Sequence, residues 1–372
     1  MTRTRSTDNL VVLLPGNDAR VLGVSTRTRN LRVAVRAGWS VIRPEALDGT
    51  GEPTILVPAG VMIDSSLFPL APTSTPMWLE SGENAAVLVG PARELRPYAA
   101  QVGAANLLPR QRVGPTTILD VSSRAARRRS AWSVLQRTGK LTDGWVSRRC
   151  NRPVSRIISF ALLWMGFTPN HASMLTLLVG VAAGALAARP GYGPLVATAV
   201  LFHFASVLDG VDGEIARATL TESEMGARFD TIVDQLTYVA SILGLTIGWF
   251  REGAGIHALY WTAALAAALV ISLLRGWRFV TRYAPGTSFV FIDRAVQRAA
   301  RESERPLLKS VAAGFTLLRR DAIAGMFLLT ALTGRRWLAL ALVALGIVLA
   351  NLTLAAYRRE LIAAAAAERS SG

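Results

Sequence analysis

Four aspartates stand at helical spacing at the ends of two apolar helices: Asp209 and Asp212, then Asp230 and Asp234. Ionisable groups in such surroundings are costly to keep, which marks them as functional by default. Separations of three and of four residues put each pair on one helix face. Two such helices joined by a short turn pack antiparallel, and the turn can bring all four carboxylates together. Clustered acids with no His or Cys nearby favour a hard divalent cation, Mg²⁺ or Mn²⁺, held by oxygen alone. At a membrane surface such a site suits a diphosphate ligand, whose negative charge completes it. Gly213, Ala216 and Gly226 lack bulk and let a ligand approach the backbone, and Arg217 can pair with phosphate through its guanidinium fork. A salt-bridge network closing the hairpin would set the four acids against Arg217 and Arg228 alone, an excess that calls for a cation.

The elements that must carry these groups are legible as apolar blocks. Candidate membrane spans run over 169–189, 193–209, 230–250, 255–274, about 311–333 and 337–357. A helix needs ~20 residues to cross the hydrocarbon. The fifth contains Arg319-Arg320-Asp321, so either it starts at 321 and is short or these charges face a water-filled cavity. Six spans put both chain ends on one side, with loops 210–229 and 275–310. Loop 275–310 holds Arg275, Arg278, Arg282, Arg294, Arg298, Arg301, Arg305 and Lys309, whereas the opposite loops hold Arg189, Arg251, Arg335 and Arg336. The Arg excess places both termini and the acidic loop in the cytoplasm, at an inner membrane. Arg275, Arg278 and Arg319 sit where they could bind the phosphate of an acceptor.

Composition agrees. Of 372 residues 51% are hydrophobic, and 41 basic against 25 acidic groups leave a net charge of +16. Such a chain is not disordered. Cys150 is the single cysteine, which excludes an internal disulfide framework and a Cys-based zinc site. The basic residues are almost all Arg, the lysines being Lys140 and Lys309, and many flank apolar segments. That fits anionic lipid headgroups better than nucleic acid. Before Pro15 the apolar run is only five residues long, so no signal peptide is expected.

The front of the chain has a different texture. Leu10–Leu14, Thr54–Pro58, Ala85–Val89 and Thr116–Asp120 read as strands, and residues 22–38 have a helical period, which implies a soluble α/β domain with a mostly parallel sheet. Residues 123–152 interleave Trp132, Val134, Leu135, Leu141, Trp145 and Val146 with Arg and Lys, the pattern of helices lying in a membrane interface. The expected division is a cytoplasmic α/β domain at 1–125, basic interfacial helices at 126–167, a membrane domain at 168–360 and a tail at 361–372.

The pattern D-x2-D-G-x2-A-R-x8-G-x3-D-x3-D runs without departure from Asp209 to Asp234. It resembles the signature of the CDP-alcohol phosphotransferases (CDP-alcohol phosphatidyltransferases), membrane enzymes of phospholipid synthesis. The resemblance covers about 140–360. It implies a six-helix membrane domain, a homodimer and a divalent-metal active site open to the cytoplasm. Carried over by position, Asp209, Asp212 and Asp230 look like metal ligands. Asp234 looks like a ligand or neighbour of the metal that also serves as general base, and Gly213, Ala216, Arg217 and Gly226 look like the lining of a CDP pocket. Thr168-Pro169-Asn170 at the first span is similar to the family, which makes Asn170 a further candidate ligand-binding residue. The implied partners are CDP-diacylglycerol or another CDP-alcohol and a hydroxyl acceptor, with a polyol or inositol phosphate as the preferred acceptor.

Lys140–Arg148 followed by Asn151-Arg152 resembles the junction of the bifunctional inositol-phosphate cytidylyltransferase/di-myo-inositol-phosphate-phosphate synthase group. That group carries an N-terminal nucleotidyltransferase domain, and residues 9–125 look like a degenerate version of it. Leu13–Arg20 takes the place of the Gly-rich loop with a single Gly, no Lys precedes Lys140, and Asp120-Val121-Ser122-Ser123 keeps one acid where a metal-binding pair is expected. A regulatory, docking or dimerisation role is therefore expected of this domain; an intact loop would instead make the protein bifunctional.

Overall fold

The structure is a computed structural model. It describes residues 9–370 apart from 17, 48–50, 72, 83–84, 101–104, 140–146, 284–288, 303, 305, 307–308, 311 and 314–319. It divides into two units. The first comprises 1–138, 156–168 and 213–223; the second comprises 139–155, 169–212 and 224–372.

In the first unit, strand β1 (Leu10–Leu13) is buried at every residue. The next elements are β2 (Arg20–Val21), β3 (Val24–Ser25), helix α1 (Thr26–Arg36), β4 (Ser40–Ile42), β5 (Pro53–Val57), β6 (Val61–Ile63), β7 (Met77–Glu80) and β8 (Ala86–Pro91). Then come the short helix α2 (Ala92–Leu95), β9 (Arg110–Arg112), β10 (Ile118–Asp120) and α3 (Arg124–Gln136). The main sheet has the order β4-β1-β5-β8-β7-β9. It is mixed rather than mostly parallel. β1 runs parallel to β4 and β5, but β8 is antiparallel to both β5 and β7. The reversal comes from the tight β7–β8 connection, where the Ser81 amide donates to the Ala85 carbonyl, and such a hairpin can only give antiparallel neighbours.

Alternation along the central strands feeds two cores. Val11, Leu13, Ile55, Val57, Val87 and Val89 face the side where Val33 and Ala34 of α1 pack. Leu10, Val12, Leu56 and Leu88 face the side of Ala92 and Leu95. Both sheet faces are covered, which is why β1 and β5 read as unbroken apolar runs. Val134 and Leu135, expected at a membrane interface, are buried, while Trp132 stays partly exposed and meets the edge of Phe160. Leu141, Trp145 and the rest of 140–146 lie outside the described residues.

Helices follow: α4 (Arg152–Trp164), α5 (Pro169–Ala187), α6 (Tyr192–Thr219), α7 (Glu224–Trp249), α8 (Ile256–Tyr283), α9 (Phe289–Glu302), α10 (Arg320–Ala331), α11 (Arg336–Ala356) and α12 (Arg358–Ser370). Among the described residues five helices are long and apolar enough to cross a membrane: α5, α6, α7 with its π-helical extension to Ala254, α8 and α11. The expected fifth span is represented by α10, whose apolar part is Ala322–Ala331, too short to cross alone. The aspartates do not sit at helix ends, as the apolar blocks implied. α6 continues ten residues past Asp209 and α7 starts six before Asp230, so the connecting loop shrinks to Leu220–Ser223. Leu220 ends α6 with φ +56.

α5 and α7 pack through small residues. A Cβ on Gly184 would strike the backbone of Ala240, and one on Gly244 the backbone of Gly184. Close backbone approach through Gly-x-x-x-Gly pairs, here 180/184 and 244/248, replaces the hydrophobic drive that lipid cannot supply. α8 exposes Tyr260, Trp261 and Trp277. Trp261 and Trp277 stand about 24 Å apart at 1.5 Å per residue, a spacing suited to the two aromatic belts of a bilayer.

Candidate active site

In the second unit α6 presents Asp209 and α7 presents Asp230 and Asp234. One carboxylate oxygen from each lies within 4.8 Å of the others, and all three residues are half-buried. Among the described residues this is the one group of three or more His, Cys, Asp or Glu residues placed closely enough to hold a metal ion. The donors are all oxygen and come from two helices, which is what a hard divalent cation takes. The residues present therefore fit such an ion.

Asp212 stands one turn beyond Asp209 and is buried, at 7% exposure. Its Oδ2 accepts a hydrogen bond from Ser173 Oγ of α5 at 2.6 Å. The trio within 4.8 Å thus contains three of the four aspartates singled out, and the fourth is tied to α5. Asn170, one turn before Ser173, is exposed. Arg152, nearly buried at the start of α4, donates to the Gly210 carbonyl between the two α6 aspartates at 3.4 Å.

The rest of the α6 motif belongs to the first unit. Arg217 Nε donates to the Thr138 carbonyl at 2.6 Å. A Cβ on Gly213 would meet the tip of the Arg217 guanidinium at 2.9 Å, so glycine leaves that side chain its place. The carbonyl of Ala216 accepts from Thr221 N at 2.9 Å as the chain leaves the helix. Gly226 is half-buried on the first turn of α7.

The end of α6 is capped from the soluble fold. A helix leaves its last carbonyls without intrahelical partners, and cations suit that negative end. Arg29 Nε donates to Ala218 O at 3.2 Å, Arg32 to Thr219 O at 2.7 Å, and Arg36 pairs with Glu222 at 2.7 Å. Spacings of three and four put these arginines on one face of α1. Leu220 packs against the core that contains Val33. Burial pulls the Arg29 guanidinium down to about 10, an effect partly offset by Asp64 and reinforced by Arg137; at neutral pH it stays charged.

Several of these groups escaped the sequence reading. Ser173 is a polar residue on an apolar helix, a weak signal. Glu214 falls on a variable position of the motif, yet it is fully buried and accepts from Ser159 Oγ at 2.6 Å. Of the residues suggested for an acceptor, Arg275 donates to Asn351 Oδ1 at 3.3 Å and Arg278 is exposed, both on the last turns of α8. Arg319 lies outside the described residues.

Comparison with known proteins bears on this site. The family model for CDP-alcohol phosphatidyltransferase matches residues 167–299. The chain is 38% identical over 157 residues to a protein of Rubrobacter xylanophilus named bifunctional IPC transferase and DIPP synthase, a stretch that is 42% of this chain and 34% of that protein. A protein of the same name from Thermococcus kodakarensis is 37% identical over 110 residues, 30% of this chain and 24% of that protein. Another, from Archaeoglobus fulgidus, is 32% identical over 152 residues, 39% of this chain and 30% of that protein. The match therefore spans about a third or less of the length of these curated relatives.

Proposed function

We propose, for a chain whose residues 167–299 match the family model for CDP-alcohol phosphatidyltransferase, that it is a multi-pass membrane enzyme transferring a phospho-alcohol group from a CDP-linked donor to a hydroxyl acceptor, with release of CMP. The observation that carries this reading is the convergence of Asp209, Asp230 and Asp234 within 4.8 Å. Asp209, Asp212, Asp230 and Asp234 would hold Mg²⁺ or Mn²⁺. Bound there, the cation supplies charge neutralisation to the diphosphate and to the departing CMP.

The chain's own groups do the rest. The acceptor oxygen forms a bond to the phosphorus attached to the alcohol, the P–O bond to CMP breaks, and the acceptor hydroxyl proton passes to the Asp234 carboxylate. Gly213, Ala216 and Gly226 leave room for the CDP moiety, with Arg217 and Asn170 beside it. CDP-diacylglycerol is the proposed donor, in phospholipid synthesis. The resemblance to bifunctional IPC transferase and DIPP synthase proteins supports a polyol or inositol phosphate as acceptor, with Arg275, Arg278 and Arg319 as candidates for its phosphate. The Arg bias of the loops supports an inner-membrane protein with its termini and site in the cytoplasm. Arg336 strengthens that reading. It is 1% exposed and donates to Glu252 and to the carbonyls of Ala187, Arg189 and Gly191, so one of the few opposite-side arginines serves the fold. A homodimer completes the reading.

The test is CMP release by purified protein given Mn²⁺, labelled CDP-diacylglycerol and a panel of acceptors. Acceptor-dependent release is expected, with loss on chelation. Asp234→Asn should lower it about 10³-fold, within the range for a positioned general base. Release that persists in that variant would defeat the assignment.

A further inference from the structure

A helix ends with four carbonyls that its own ladder does not serve. At the end of α6 these belong to Ala216, Arg217, Ala218 and Thr219. The chain serves the first two locally, through the amides of Thr221 and Leu220 at 2.9 and 3.3 Å. Ala218 and Thr219 are buried, so their carbonyls need a donor from the protein. Arg29 and Arg32 of α1, 189 and 187 positions away in the chain, supply it. We infer that α1 is a latch on the metal-binding hairpin, with Arg29, Arg32 and Arg36 as positioning residues. The inference rests on the reading of that hairpin as a transferase site.

The latch is itself anchored. Arg29 also donates to the Ile63 carbonyl of β6, and Asn30 bonds both Val61 and Ile63 of that strand. A second tether holds the same helix end from α3. The Thr138 carbonyl accepts from Arg217, and the neighbouring Arg137 pairs with Asp64, directly after β6, at 3.1 Å. The ordinary device past a helix end is a glycine in the left-handed region. Here Leu220 takes that place, at φ +56 and packed against the core around Val33. A residue with a side chain keeps such a conformation only where its surroundings over-determine it.

The gripped turn joins the two helices that carry the aspartates. Thr219 lies two turns beyond Asp212 on the same face of α6, and Glu222, paired with Arg36, precedes Asp230 by eight residues. A metal site shared by two helices keeps its geometry only while their angle and register are kept. Small displacements caused by a distant change are costly to a preorganised site. The α/β fold therefore acts on the chemistry by fixing the hinge of the hairpin.

The test uses full-length protein in phosphatidylcholine nanodiscs. Electron paramagnetic resonance of free Mn²⁺ reads the affinity, and Asp230→Asn marks what the hairpin binds. Arg29 is spared, because β6 depends on it too. Arg32→Met keeps the stem of the side chain and removes its donors. Mn²⁺ affinity should fall about tenfold, the lower edge of what losing an outer support costs a metal site. Arg36→Glu sets like charge against Glu222 and should cost about threefold, an exposed pair being weak. Arg36→Glu/Glu222→Arg restores the pair with its signs exchanged, and affinity should return to within about twofold of the parent. General damage to the fold gives no such recovery. Thermal melts check that each variant is folded at the temperature of measurement. Variants that melt lower yet bind Mn²⁺ like the parent, or an exchange that fails to restore binding, overturn the inference and leave the arginines a structural cap. A parent that binds Mn²⁺ at the hairpin without releasing CMP defeats the transferase reading alone. One that binds none there defeats both.

Discussion

The two chemically loaded regions of this protein use acids in opposite ways. In the second unit, Asp209, Asp230 and Asp234 converge from two helices on one point. In the first, Asp18 and Asp120 stand in separate turns, and each gives a carboxylate oxygen to a backbone amide nearby, of Arg27 and of Ser122. The converging set concentrates carboxylate oxygens in a way that suits a hard cation. The dispersed pair fixes loop shape, and the charge left over around it is positive. What separates the two regions is thus where carboxylates point rather than how many there are: the helical hairpin gathers oxygens that could hold a metal, and the α/β fold spends its acids on backbone amides.

The comparison breaks most directly if the two kinds of acid respond alike to neutralisation. Asp230→Asn removes a converging charge, and CMP release should fall at least about 10²-fold, as for loss of a positioned catalytic carboxylate. Asp120→Asn keeps an acceptor oxygen for the Ser122 amide, so release should stay within about twofold of the parent, the change being an ordinary surface substitution. Equal losses in a side-by-side CMP assay would mean that the soluble fold's acid takes part in the chemistry.

A smaller effect is expected at the support of the converging set. Ser173 donates to Asp212 at 2.6 Å from a third helix. Groups that orient a ligand carboxylate typically contribute 10–100-fold in metal affinity. Ser173→Ala should therefore raise the Mg²⁺ or Mn²⁺ concentration for half-maximal CMP release by about 10-fold or more, while saturating metal restores most of the maximal rate. Loss of rate with unchanged metal dependence would show that Ser173 only packs α5.

How much of this was legible beforehand depends on the range of the interaction. The acidic motif was legible because all its members lie within 26 residues and helical periodicity relates them. The strands around Val11, Ile55 and Val87 were legible as apolar runs because both faces of the sheet are covered. What could not be read was pairing at a distance. The antiparallel β8 depends on a hairpin whose first strand, Met77–Glu80, is only four residues long, so the Ser81-Gly82 turn had no legible strand before it. The cap on α6 joins Arg29 to Ala218, 189 positions apart, and sequence shows those arginines only as the polar face of α1. The helical reach of the motif was also hidden, because polar residues on 210–219 mask a helix that the soluble fold, not lipid, surrounds. The fifth span was legible as one of two alternatives, a short helix starting at 321 or a longer one with its charges facing a cavity, and the described apolar stretch, Ala322–Ala331, fits the first.

The smallest expected effect tests whether the positive charge in the soluble fold serves folding. Arg124 at the first position of α3 opposes the helix dipole, and nothing among the described residues bonds its guanidinium. If it were there for stability, Arg124→Ala would destabilise the protein. The dipole argument gives the opposite sign: removing a cation from a helix N-terminus, with a good helix former put in its place, should stabilise by about 0.3–1 kcal/mol at low salt. The gain should shrink as salt rises, because the repulsion is between exposed charges and is screened. Thermal unfolding of parent and variant at two ionic strengths measures both the sign and its salt dependence. A stabilised variant would show a charge kept against the interest of the fold. A destabilised one would return Arg124 to the scaffold.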